Sequence, residues 1–337
     1  MAAQINIRDI ADKAGLSIST VSRVLNGKAK EYRIGKKSQE KVIKIAKELN
    51  YVPNQFAANL KSGKSKTIAL IVPSLNNPFF AEIASRINTE IRKYGYITII
   101  GETGEDQEIE KKELQQLMSR NIEGLIIVPC GNQWEHINNL YTQDFPIVCI
   151  DRYFEDLKIP FVSINNYESS FLATKYFVDN GHKNIACIQG VKESNTNILR
   201  VEGFKAALNE SDIESSNIVG NDFTVKNGYK ETKHLLQQEQ RPTAILALSN
   251  TIAMGCMKAF KEADISVPDD ISLITFDDHP YLDYLATPLT CIAHPIKDIS
   301  KKAVKFIFSI LTDKKLRSDQ VLLKPKMKIR SSVKAID

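Results

Sequence analysis

A row of small hydroxyl side chains that ends in an arginine is the first feature of this sequence with the chemistry to bind another molecule. The segment reads IRDIADKAGLSISTVSRVLNG from Ile7 to Gly27, and its apolar residues recur at helical spacing on both sides of Gly15. Two short helices joined by a tight turn fit this pattern, with Asn6 and Ser17 as their N-terminal caps. With the apolar face of the second helix buried, the residues left outside are Ile18, Ser19, Ser22 and Arg23. A recognition helix in the DNA major groove presents side chains at this spacing, although helix pairs of this length also occur in ordinary globular proteins.

A second group of candidate site residues, polar and aromatic, follows the apolar runs in the rest of the chain. SLNNPFF, residues 74–80, comes after the first run, and DRY, residues 151–153, comes after the fourth. Further along stand isolated polar residues, namely Arg200, Asn250 with Thr251, Asp277 with Asp278, and His294. A sugar presents hydroxyl groups that donate and accept hydrogen bonds and flat C–H faces, so its pocket needs carboxylates, Arg or Asn, and aromatic rings. The group as a whole predicts a sugar pocket, although each residue alone also fits a plainer role as a loop cap, a surface ion pair or a core side chain.

Strands that alternate with amphipathic helices from Lys66 onward are the elements that would position this second group. Nine apolar runs are predicted as strands: 67–72, 96–101, 124–128, 147–150, 161–164, 185–188, 244–248, 272–276 and 289–292. Continuous apolar runs with helical spacers indicate buried parallel strands with right-handed crossovers, and therefore two open doubly wound α/β sheets. Ligands of such sheets bind beyond the carboxyl ends of the strands, which is where the polar residues stand.

No fingerprint of a cofactor or of a catalytic centre stands in the sequence. The GxGxxG, P-loop, HExxH and GxSxG patterns are all missing, so an enzyme is not predicted and no cofactor is expected. The five cysteines form no CxxC pair and are expected to be reduced core residues without a metal: Cys130, Cys149, Cys187, Cys256 and Cys291. No apolar run approaches the length of a membrane span and no signal peptide is recognisable, so a cytoplasmic protein without a membrane partner is expected.

The net positive charge of the chain comes from its N-terminal end. Residues 1–66 hold 14 Lys and Arg against 5 Asp and Glu, whereas the whole chain of 337 residues holds 45 against 40, so the remainder is net acidic. A small basic segment that carries a helix-turn-helix fits phosphate contact with release of counterions. The length also exceeds the size at which one hydrophobic core divides into domains.

The N-terminal segment closely resembles the headpiece of the lactose-repressor (LacI) family, and the likeness continues through KVIKIAKELNYVPNQFAANLKSGKSKTIALIVP, residues 41–73. The resemblance implies that base edges are read by Ile18, Ser19 and Arg23. It implies phosphate contacts from Ser17, Thr20, Ser22 and Asn26. The loop KAKEYRI after Gly27 is longer than is usual in the family, and Gly35 stands where the family usually has a Ser or Thr cap. This insertion is either a solvated loop or a source of extra phosphate contacts from Lys28, Lys30 and Arg33.

From about Thr67 to the C-terminus, the chain is similar to the regulatory domain of the same family. More distantly, it resembles the periplasmic ribose-binding protein, whose fold is a two-lobed periplasmic-binding-protein fold of type I. The resemblance implies a pocket for one monosaccharide made of Asn77, Phe79, Phe80, Asp151, Arg152, Arg200, Phe223, Asn250, Asp277 and His294. Two residues depart from the family, since Thr251 replaces the usual Asp and His294 stands where the ribose binder has Gln. These departures suit a ligand with one fewer hydroxyl at that corner or with an anionic group, while His294 can equally be a neutral hydrogen-bonding ring.

A short segment, PNQFAANLKSGKSK, joins these two parts over residues 53–66. Pro53 and Asn54 can open a helix that is too short to be stable alone. In the LacI family this hinge folds on operator DNA beside its twin, and the resemblance makes Leu60 the wedge in the minor groove, with Ala57 on the same face. A flexible linker with a helical tendency is the alternative.

The predicted organisation has three parts. They are a helix-turn-helix DNA-binding headpiece over residues 1–53, a hinge helix and linker over 54–66, and an effector-binding and dimerisation domain over 67–337. Within that domain, lobe 1 is predicted at about 67–160 with 294–318, and lobe 2 at about 161–293 with 319–337. No leucine heptad follows Lys324, so a homodimer is expected rather than a tetramer.

The resulting interpretation is a cytoplasmic, nucleoid-associated transcription regulator of the repressor type. Its affinity for a pseudo-palindromic operator would be controlled by a small effector, a monosaccharide or a sugar derivative. The alternative is the same type of regulator answering to a purine, a nucleoside or a partner phosphoprotein. A transport-binding protein would lack the headpiece, and an enzyme would need the missing fingerprints.

Overall fold

The computed structural model describes residues 5–51, 64–213, 217–313 and 319–336. The chain divides into two compact units, residues 1–65 and residues 66–337. Among the described helices, none is both long and apolar enough to span a membrane.

The described part of the N-terminal unit holds three helices: α1 Ile7–Ala14, α2 Ile18–Leu25 and α3 Lys36–Glu48. The first begins at Asn6, whose side chain accepts hydrogen bonds from Arg8 N and Asp9 N, while the Asp9 carboxylate accepts one from Asn6 N. It ends at Gly15, whose φ of 63° is a left-handed conformation that favours glycine. The apolar faces of the three helices enclose one small core, with the members Ile10, Ala11, Ala14, Val21, Val24, Val42 and Ile45 among others.

The longer loop between α2 and α3 is folded against this core. Ala29 is buried, and Ile34 N donates a hydrogen bond to Ala29 O that closes the turn between them. Gly35 gives α3 no side-chain cap, but Gln39 Nε2 donates to Ile34 O at 2.7 Å and ties the first turn of the helix to the loop. The basic side chains of this loop remain exposed: Lys28, Lys30 and Arg33.

In the described part of the second unit, twelve strands form two six-stranded sheets. The first sheet has the order β11-β5-β4-β3-β1-β2 and contains β1 Thr67–Val72, β2 Ile97–Glu102, β3 Gly124–Ile127, β4 Ile147–Ile150, β5 Phe161–Ile164 and β11 Gln320–Leu323. The second has the order β12-β10-β9-β8-β6-β7 and contains β6 Ile185–Ile188, β7 Ile218–Val219, β8 Ala244–Ala247, β9 Ser272–Phe276, β10 Thr290–Ala293 and β12 Lys326–Lys328. Neighbouring strands are parallel except β10 and β12, which are antiparallel.

Helices connect these strands and cover the sheets. They are α4 Pro78–Arg92, α5 Gln107–Ser119, α6 Glu135–Thr142, α7 Asn166–Asp179, α8 Asn195–Asn209, α9 Val225–Leu236, α10 Asn250–Glu262 and α11 Ile296–Asp313. Alternate residues of one strand enter different cores, since Ile68 and Leu70 belong to one cluster and Ala69 and Ile71 to another. Both faces of the sheet are therefore covered, as in doubly wound folds. The predicted fold class, an all-α headpiece plus two doubly wound α/β lobes, is confirmed.

The sheets correct the predicted lobe limits. β5 pairs with β4, and β11 pairs with β5, so residues 161–164 and 320–323 belong to lobe 1. The predictions that lobe 2 begins at residue 161 and resumes at 319 are wrong at these two strands. An apolar run alone does not show which of two parallel sheets a strand joins. The chain crosses between the lobes three times, after β5, after β10 and after β11.

Three strands, β7, β11 and β12, are not among those that the sequence predicts. Each lies at the edge of its sheet. These three edge strands are short and partly exposed, so they lack the continuous apolar run that marks a buried parallel strand. β11 alternates exposed and half-buried residues, and β7 has only two residues.

A close approach of α7 and α8 depends on Gly203. A Cβ atom at this position would lie 2.1 Å from Tyr167 O, so any other residue would push the helices apart. The approach brings Asn166, the first residue of α7, beside Arg200, which lies one turn before the glycine on α8.

Candidate functional site

The outward face of α2 carries most of the side chains predicted to contact DNA. Ser17 Oγ accepts a hydrogen bond from Thr20 N at 3.2 Å and lies 2.9 Å from Ser19 Oγ and 2.8 Å from Thr20 Oγ1. Ser19 and Arg23 are exposed, and Ile18 is 44% exposed although it is apolar. The cap therefore orders the hydroxyl groups of the first turn and leaves one apolar and one cationic side chain facing outward.

Ser22 and Asn26 complete this face at the end of α2. Asn26 Nδ2 donates to Ser22 O at 2.8 Å and lies 3.3 Å from Ser22 Oγ. The seven headpiece residues predicted to contact DNA thus occupy one helix and its two caps. The other two predicted DNA contacts, Ala57 and Leu60, lie outside the described residues.

Tyr32, in the loop between α2 and α3, contacts Arg23 and is not among the predicted site residues. The guanidinium carbon of Arg23 lies 3.9 Å from the centroid of the Tyr32 ring, which is a cation–π contact. Tyr32 is itself 44% exposed, so the pair forms part of the outer surface. The ring restricts the rotamers of Arg23 beside the face that would meet DNA. The aromatic residue in KAKEYRI was visible in the sequence, but its spacing does not show that it folds back on α2.

A narrow cavity of about 20 Å³, the interlobe pocket, lies at the carboxyl ends of strands from both sheets. It is lined by eight of the ten predicted effector residues, Asn77, Phe79, Phe80, Asp151, Arg152, Arg200, Phe223 and Asp277, and also by Thr196 and Ser249. The other two, Asn250 and His294, reach the lining through Asp277. Asp151 and Asp277 directly follow β4 and β9 with φ values of 63° and 71°. Asp tolerates this left-handed conformation better than most residues do.

Asp151 has a buried carboxylate that accepts no hydrogen bond from the described residues. Arg152 Nε lies 4.0 Å from Asp151 Oδ2, and the backbone oxygen of Asp151 accepts a hydrogen bond from Ser163 Oγ that holds the turn. Burial raises the pKa of Asp151, and the charges of Arg200 and Arg152 offset only part of this effect. Such a carboxylate favours a ligand that donates hydroxyl hydrogen bonds to it.

Arg200 is fixed in the pocket by three hydrogen bonds. Its Nε donates to Asn166 Oδ1 at 2.8 Å, and its two terminal nitrogens donate to Leu248 O at 2.6 Å and to His294 Nε2 at 3.4 Å. The guanidinium carbon also lies 4.0 Å from the centroid of the Phe276 ring. These contacts hold a permanent cation in one orientation, although burial lowers the pKa of Arg200.

Asp277 connects polar groups of both lobes. Its Oδ2 accepts a hydrogen bond from Asn250 Nδ2 at 2.6 Å, and the same Nδ2 lies 3.2 Å from Asn77 Oδ1 in lobe 1. Its Oδ1 lies 2.9 Å from His294 Nδ1, although the ring N–H is not aligned with this contact. Because Arg200 donates to Nε2 of the same ring, the ring proton is assigned to Nδ1. Burial opposes ionisation of Asp277, but His294 and Arg200 outweigh it and lower the pKa of Asp277 to about 2.

Aromatic rings supply the apolar lining. Phe79 and Phe80 meet edge to face with their centroids 5.1 Å apart. The ring of Phe223 occupies space that Gly190 leaves free, since a Cβ atom at Gly190 would lie 2.2 Å from it. Thr251 Oγ1 donates to Phe223 O at 2.8 Å. The threonine that replaces the usual Asp of the family therefore fixes the position of Phe223.

Arg152 is already held by an acidic partner. Its two terminal nitrogens donate to the carboxylate of Glu105 at 2.5 and 2.7 Å, while its Nε, 4.0 Å from Asp151 Oδ2, makes no hydrogen bond. Sequence reasoning missed Glu105, which follows β2 in a left-handed conformation with φ 64°. It also missed Asn166, Thr196 and Ser249. Glu105, Asn166 and Ser249 stand within three residues of a strand end, so their positions were visible in the sequence, but the contacts that they make were not.

Metal chemistry has no site in the part of the chain that the structure describes. No group of His, Cys, Asp or Glu there could hold a metal ion. The five cysteines are buried and form no disulfide: Cys130, Cys149, Cys187, Cys256 and Cys291.

Comparisons with known proteins agree with this geometry. The model of "Bacterial regulatory proteins, lacI family" matches residues 6–54, and that of "Periplasmic binding proteins and sugar binding domain of LacI family" matches residues 65–306. The ribose operon repressor of Haemophilus influenzae is 33% identical over 329 residues, covering 97% of this chain and 98% of that protein. The HTH-type transcriptional repressor PurR of Vibrio atlanticus is 30% identical over 98% of this chain and 99% of that protein. The lac repressor dimer bound to operator and the anti-inducer ONPF has a TM-score of 0.87 at 25% identity, covering 98% of this chain and 99% of that chain.

Tyr32→Ala is expected to weaken sequence-specific DNA binding through Arg23. Loss of an exposed cation–π contact should lower the affinity about two- to fivefold, whereas Tyr32→Phe should keep it. Fluorescence anisotropy with a duplex selected from a random pool by the wild type measures both. In an Arg23→Ala background, Tyr32→Ala should have no further effect. An equal loss in that background would show that Tyr32 does not act through Arg23.

Asp277→Asn and Asp151→Asn are expected to change stability in opposite directions. The pKa of Asp277 is depressed, so its charge stabilises the fold above its ordinary pKa of 3.8, and this stabilisation is lost as the pH falls toward 2. Asp277→Asn should therefore lower the free energy of unfolding at pH 7 by about 2 kcal/mol. The pKa of Asp151 is raised, so its charge opposes folding at neutral pH.

Asp151→Asn should accordingly raise the free energy of unfolding at pH 7, and the gain should fade as the pH falls toward the ordinary range of an aspartate. Urea unfolding of both variants at pH 7 and pH 4 measures these changes, and at pH 4 the effect of Asp277→Asn should persist. Changes of the same sign at pH 7 would contradict the assignment of Asp277 as structural and of Asp151 as ligand-directed.

Proposed function

This chain belongs to the LacI family of bacterial regulatory proteins, and we propose that it is a repressor that binds a pseudo-palindromic operator as a homodimer and answers to a monosaccharide or a sugar derivative. It is a sequence-specific DNA-binding transcription regulator controlled by a small effector, and it is not an enzyme. Its proposed place of action is the bacterial nucleoid in the cytoplasm. The proposed division of labour is DNA binding by residues 1–53, hinge and linker by 54–66, and effector binding and dimerisation by 67–337.

The observation that carries the sugar proposal is the buried carboxylate of Asp151, which accepts no hydrogen bond from the described residues and lies in the same cavity as Arg200. The carboxylate can only accept hydrogen bonds and the guanidinium can only donate them. A polyol does both, so one small ring can satisfy both groups, while Phe79 and Phe223 cover its C–H faces. The likeness to a ribose operon repressor supports the same class of effector.

A purine or nucleoside is the second candidate, because the chain is also similar to PurR. Phe79 and Phe223 could stack on a base as well as on a sugar ring. The sugar remains favoured, because Asp151 needs a hydrogen-bond donor and Arg200 needs an acceptor, and the hydroxyl groups of one small ring supply both. A partner phosphoprotein is the third candidate, and it becomes the favoured one if no small molecule in the screen below raises the melting temperature.

The proposed mechanism is linkage between the pocket and the DNA-binding end. Lobes 1 and 2 are joined by three crossing segments, and His294 stands in one of them, directly after β10. The contact of Asn250 with Asn77 joins the lobes across the pocket. A ligand that binds one lobe arrangement more tightly shifts the population toward it, and operator affinity changes by the same coupling free energy. From the sequence, we place Leu60 as the wedge at the operator centre, with Ala57 beside it.

Exposed apolar side chains support the proposed homodimer. Around the edge strand β2, Ile97 is 63% exposed and Tyr94 and Ile100 are also exposed. An uncovered edge with isoleucines is an aggregation hazard that a second copy of the chain would remove. The similar lac repressor structure is a dimer.

Arg23→Ala tests the DNA half of the proposal. If Arg23 reads a base edge, the variant should lose about 1–3 kcal/mol on the selected operator and almost nothing on nonspecific DNA. Neutralising Lys28, Lys30 and Arg33 should instead lower affinity for all sequences and flatten the salt dependence. Equal losses on both DNAs would reassign Arg23 to phosphate contact, and an unchanged salt slope would leave the loop without phosphate contacts.

A thermal-shift screen of monosaccharides, sugar phosphates and nucleosides tests the effector half, because a specific ligand raises the melting temperature by mass action. Asp151→Ala or Arg200→Ala should abolish the shift and the effector-dependent change in operator affinity, since each leaves buried polar groups unpaired at a cost of about 1–3 kcal/mol. Asp179→Ala, at an exposed ion pair on α7, is the control and should keep both responses. A shift by nucleosides alone would replace the sugar proposal, and a normal response of the Asp151 variant would move the ligand site elsewhere.

A further inference from the structure

The chain enters lobe 1 at Lys66, and a single carboxylate holds this point of entry. Lys66 N donates a hydrogen bond to Glu123 Oε1 at 2.6 Å, and Tyr96 Oη donates to Glu123 Oε2 at 2.9 Å. Glu123 N in turn donates to Thr67 O at 2.8 Å. Lys66 has a φ of 51°, a left-handed conformation that is uncommon for a lysine. Glu123 therefore ties the start of β1 to the residues that directly precede β2 and β3.

Tyr96 also contacts the end of helix α11. Phe308 of α11 stacks on Tyr94 with the ring centroids 3.9 Å apart, and it meets Tyr96 edge to face with the centroids 4.9 Å apart. One residue earlier in the helix, Ile307 packs against Gly124, where a Cβ atom would lie 3.0 Å from the Ile307 side chain. Gly124 directly follows the glutamate in the chain. The end of α11 is therefore packed against the residues on both sides of that carboxylate.

The other end of α11 lies at the interlobe pocket. The helix starts at Ile296, whose N–H donates to the backbone oxygen of His294 at 2.9 Å. His294 Nδ1 lies 2.9 Å from Asp277 Oδ1, and the His294 ring lies 4.9 Å from the ring of Phe79, between centroids. Because a helix rises about 1.5 Å per residue, the length of α11 from Ile296 to Phe308 is about 18 Å. One helix thus joins a predicted effector residue to the tyrosine rings.

Helix α4 follows the same course beside α11. It begins with Phe79 and Phe80, which line the pocket, and Tyr94 stands two residues after its end at Arg92. The two helices share one hydrophobic cluster, to which α4 contributes Ile83, Ile87 and Ile91 and α11 contributes Ile299, Ala303 and Ile307. A close-packed interior deforms little. We therefore expect a shift of α11 at the pocket to reach its other end.

We propose that Tyr96 and Glu123 are the residues through which the arrangement of the lobes sets the position of Lys66, and that they thereby couple the interlobe pocket to DNA binding. Together with α11, these residues are called the α11–Glu123 relay. The inference rests on the proposed linkage mechanism and specifies the contacts that transmit it. Tyr96 and Glu123 are positioning residues, since neither lines the pocket as the structure describes it.

The chemistry of the carboxylate suits this role. A hydrogen bond to an ionised acceptor is about twice as strong as one between neutral groups, and Glu123 accepts two, one on each oxygen. Burial and the contact with Glu123 raise the pKa of Tyr96 to about 12, so the phenol remains a donor at neutral pH. Lys66 O also accepts a hydrogen bond from Ile97 N at 3.0 Å. A displacement of Tyr96 therefore moves the carboxylate, and with it the backbone of Lys66.

Coupling between two sites is reciprocal, so DNA binding must also alter the pocket end of the relay. The test measures hydrogen–deuterium exchange of the full-length protein, alone and saturated with a duplex selected from a random pool by the wild type. Amides exchange from minor, opened arrangements, and binding that selects one arrangement lowers the population of the others. At residues 294–300, the start of α11, DNA should slow exchange about fivefold or more in the wild type, as expected for a typical coupling.

Tyr96→Phe and Glu123→Gln should each remove most of this slowing. The first variant deletes only the hydroxyl and keeps the ring against Phe308, and the second keeps the shape of the side chain without its charge. Tyr141→Phe is the matched control and should keep the slowing, because the Tyr141 hydroxyl donates to Lys158 O at 3.0 Å elsewhere in lobe 1. DNA should protect residues 18–25 in all three variants, since the headpiece is unchanged.

Slowing at residues 294–300 that survives both Tyr96→Phe and Glu123→Gln overturns the relay, even if these variants exchange faster without DNA, because that result shows a purely structural role. A wild type without slowing at residues 294–300, or a Tyr141→Phe variant that loses it, also overturns the relay. Each of these results leaves the proposed function standing as long as residues 18–25 are protected. If no duplex protects residues 18–25, the proposed function falls together with the relay.

Discussion

A group of charges buried in the cleft between the lobes is the constraint on which the rest of the structure depends. Asp151, Arg200 and Asp277 are all nearly inaccessible to water, and a buried charge is tolerated only when it has partners. Arg200 makes three hydrogen bonds, and Asp277 contacts Asn250 and His294. The Asp151 carboxylate accepts no hydrogen bond from the described residues, and its charged neighbour Arg152 approaches only to 4.0 Å, from Nε to Oδ2. Arg200 and Asp277 are thus held by hydrogen bonds and contacts within the protein, whereas the Asp151 carboxylate is left free to accept hydrogen bonds from a ligand.

The fold supplies this arrangement through parallel strands whose carboxyl ends face one cleft. Asp151 and Asp277 each leave a strand through a left-handed turn, one in each sheet. Glycines permit the close approaches that the other groups need, since Gly203 lets α8 bring Arg200 to α7 and Gly190 leaves room for Phe223. The cost is local stability, because a buried ionised carboxylate without hydrogen-bond donors opposes folding. Binding sites in proteins often contain groups that lower the stability of the fold, because the function needs them.

Much of this could be predicted from the sequence, for a physical reason. Strands buried on both faces, such as β4 with the residues IVCI, have no polar positions and stand out as apolar runs. The edge strand β11 has the exposed and half-buried residues QVLL and leaves no such signal. The crossing after β5 was misplaced because β5 and β6 are both short, fully buried strands, and only the pairing of β5 with β4 shows which sheet β5 joins.

The same distinction applies to the sites. Asp151 and Asp277 were predictable since a polar residue directly after a buried strand is conspicuous. Glu105 and Asn166 act on the ligand residues Arg152 and Arg200 from distant positions in the chain, 47 and 34 residues away, and such pairings have no periodic trace. Tyr32 was missed for the same reason, because its contact with Arg23 depends on how the inserted loop folds.

The most direct test of the account is a crystal structure of the full-length protein with the sugar that most raises its melting temperature. The account predicts a ligand hydroxyl at about 2.5–3.0 Å from the Asp151 carboxylate, with Arg200 donating to the same ring and Phe223 against one face of it. A ligand bound elsewhere, with the Asp151 carboxylate still lacking a hydrogen-bond donor, would contradict the claim that this residue is kept unpaired for the effector.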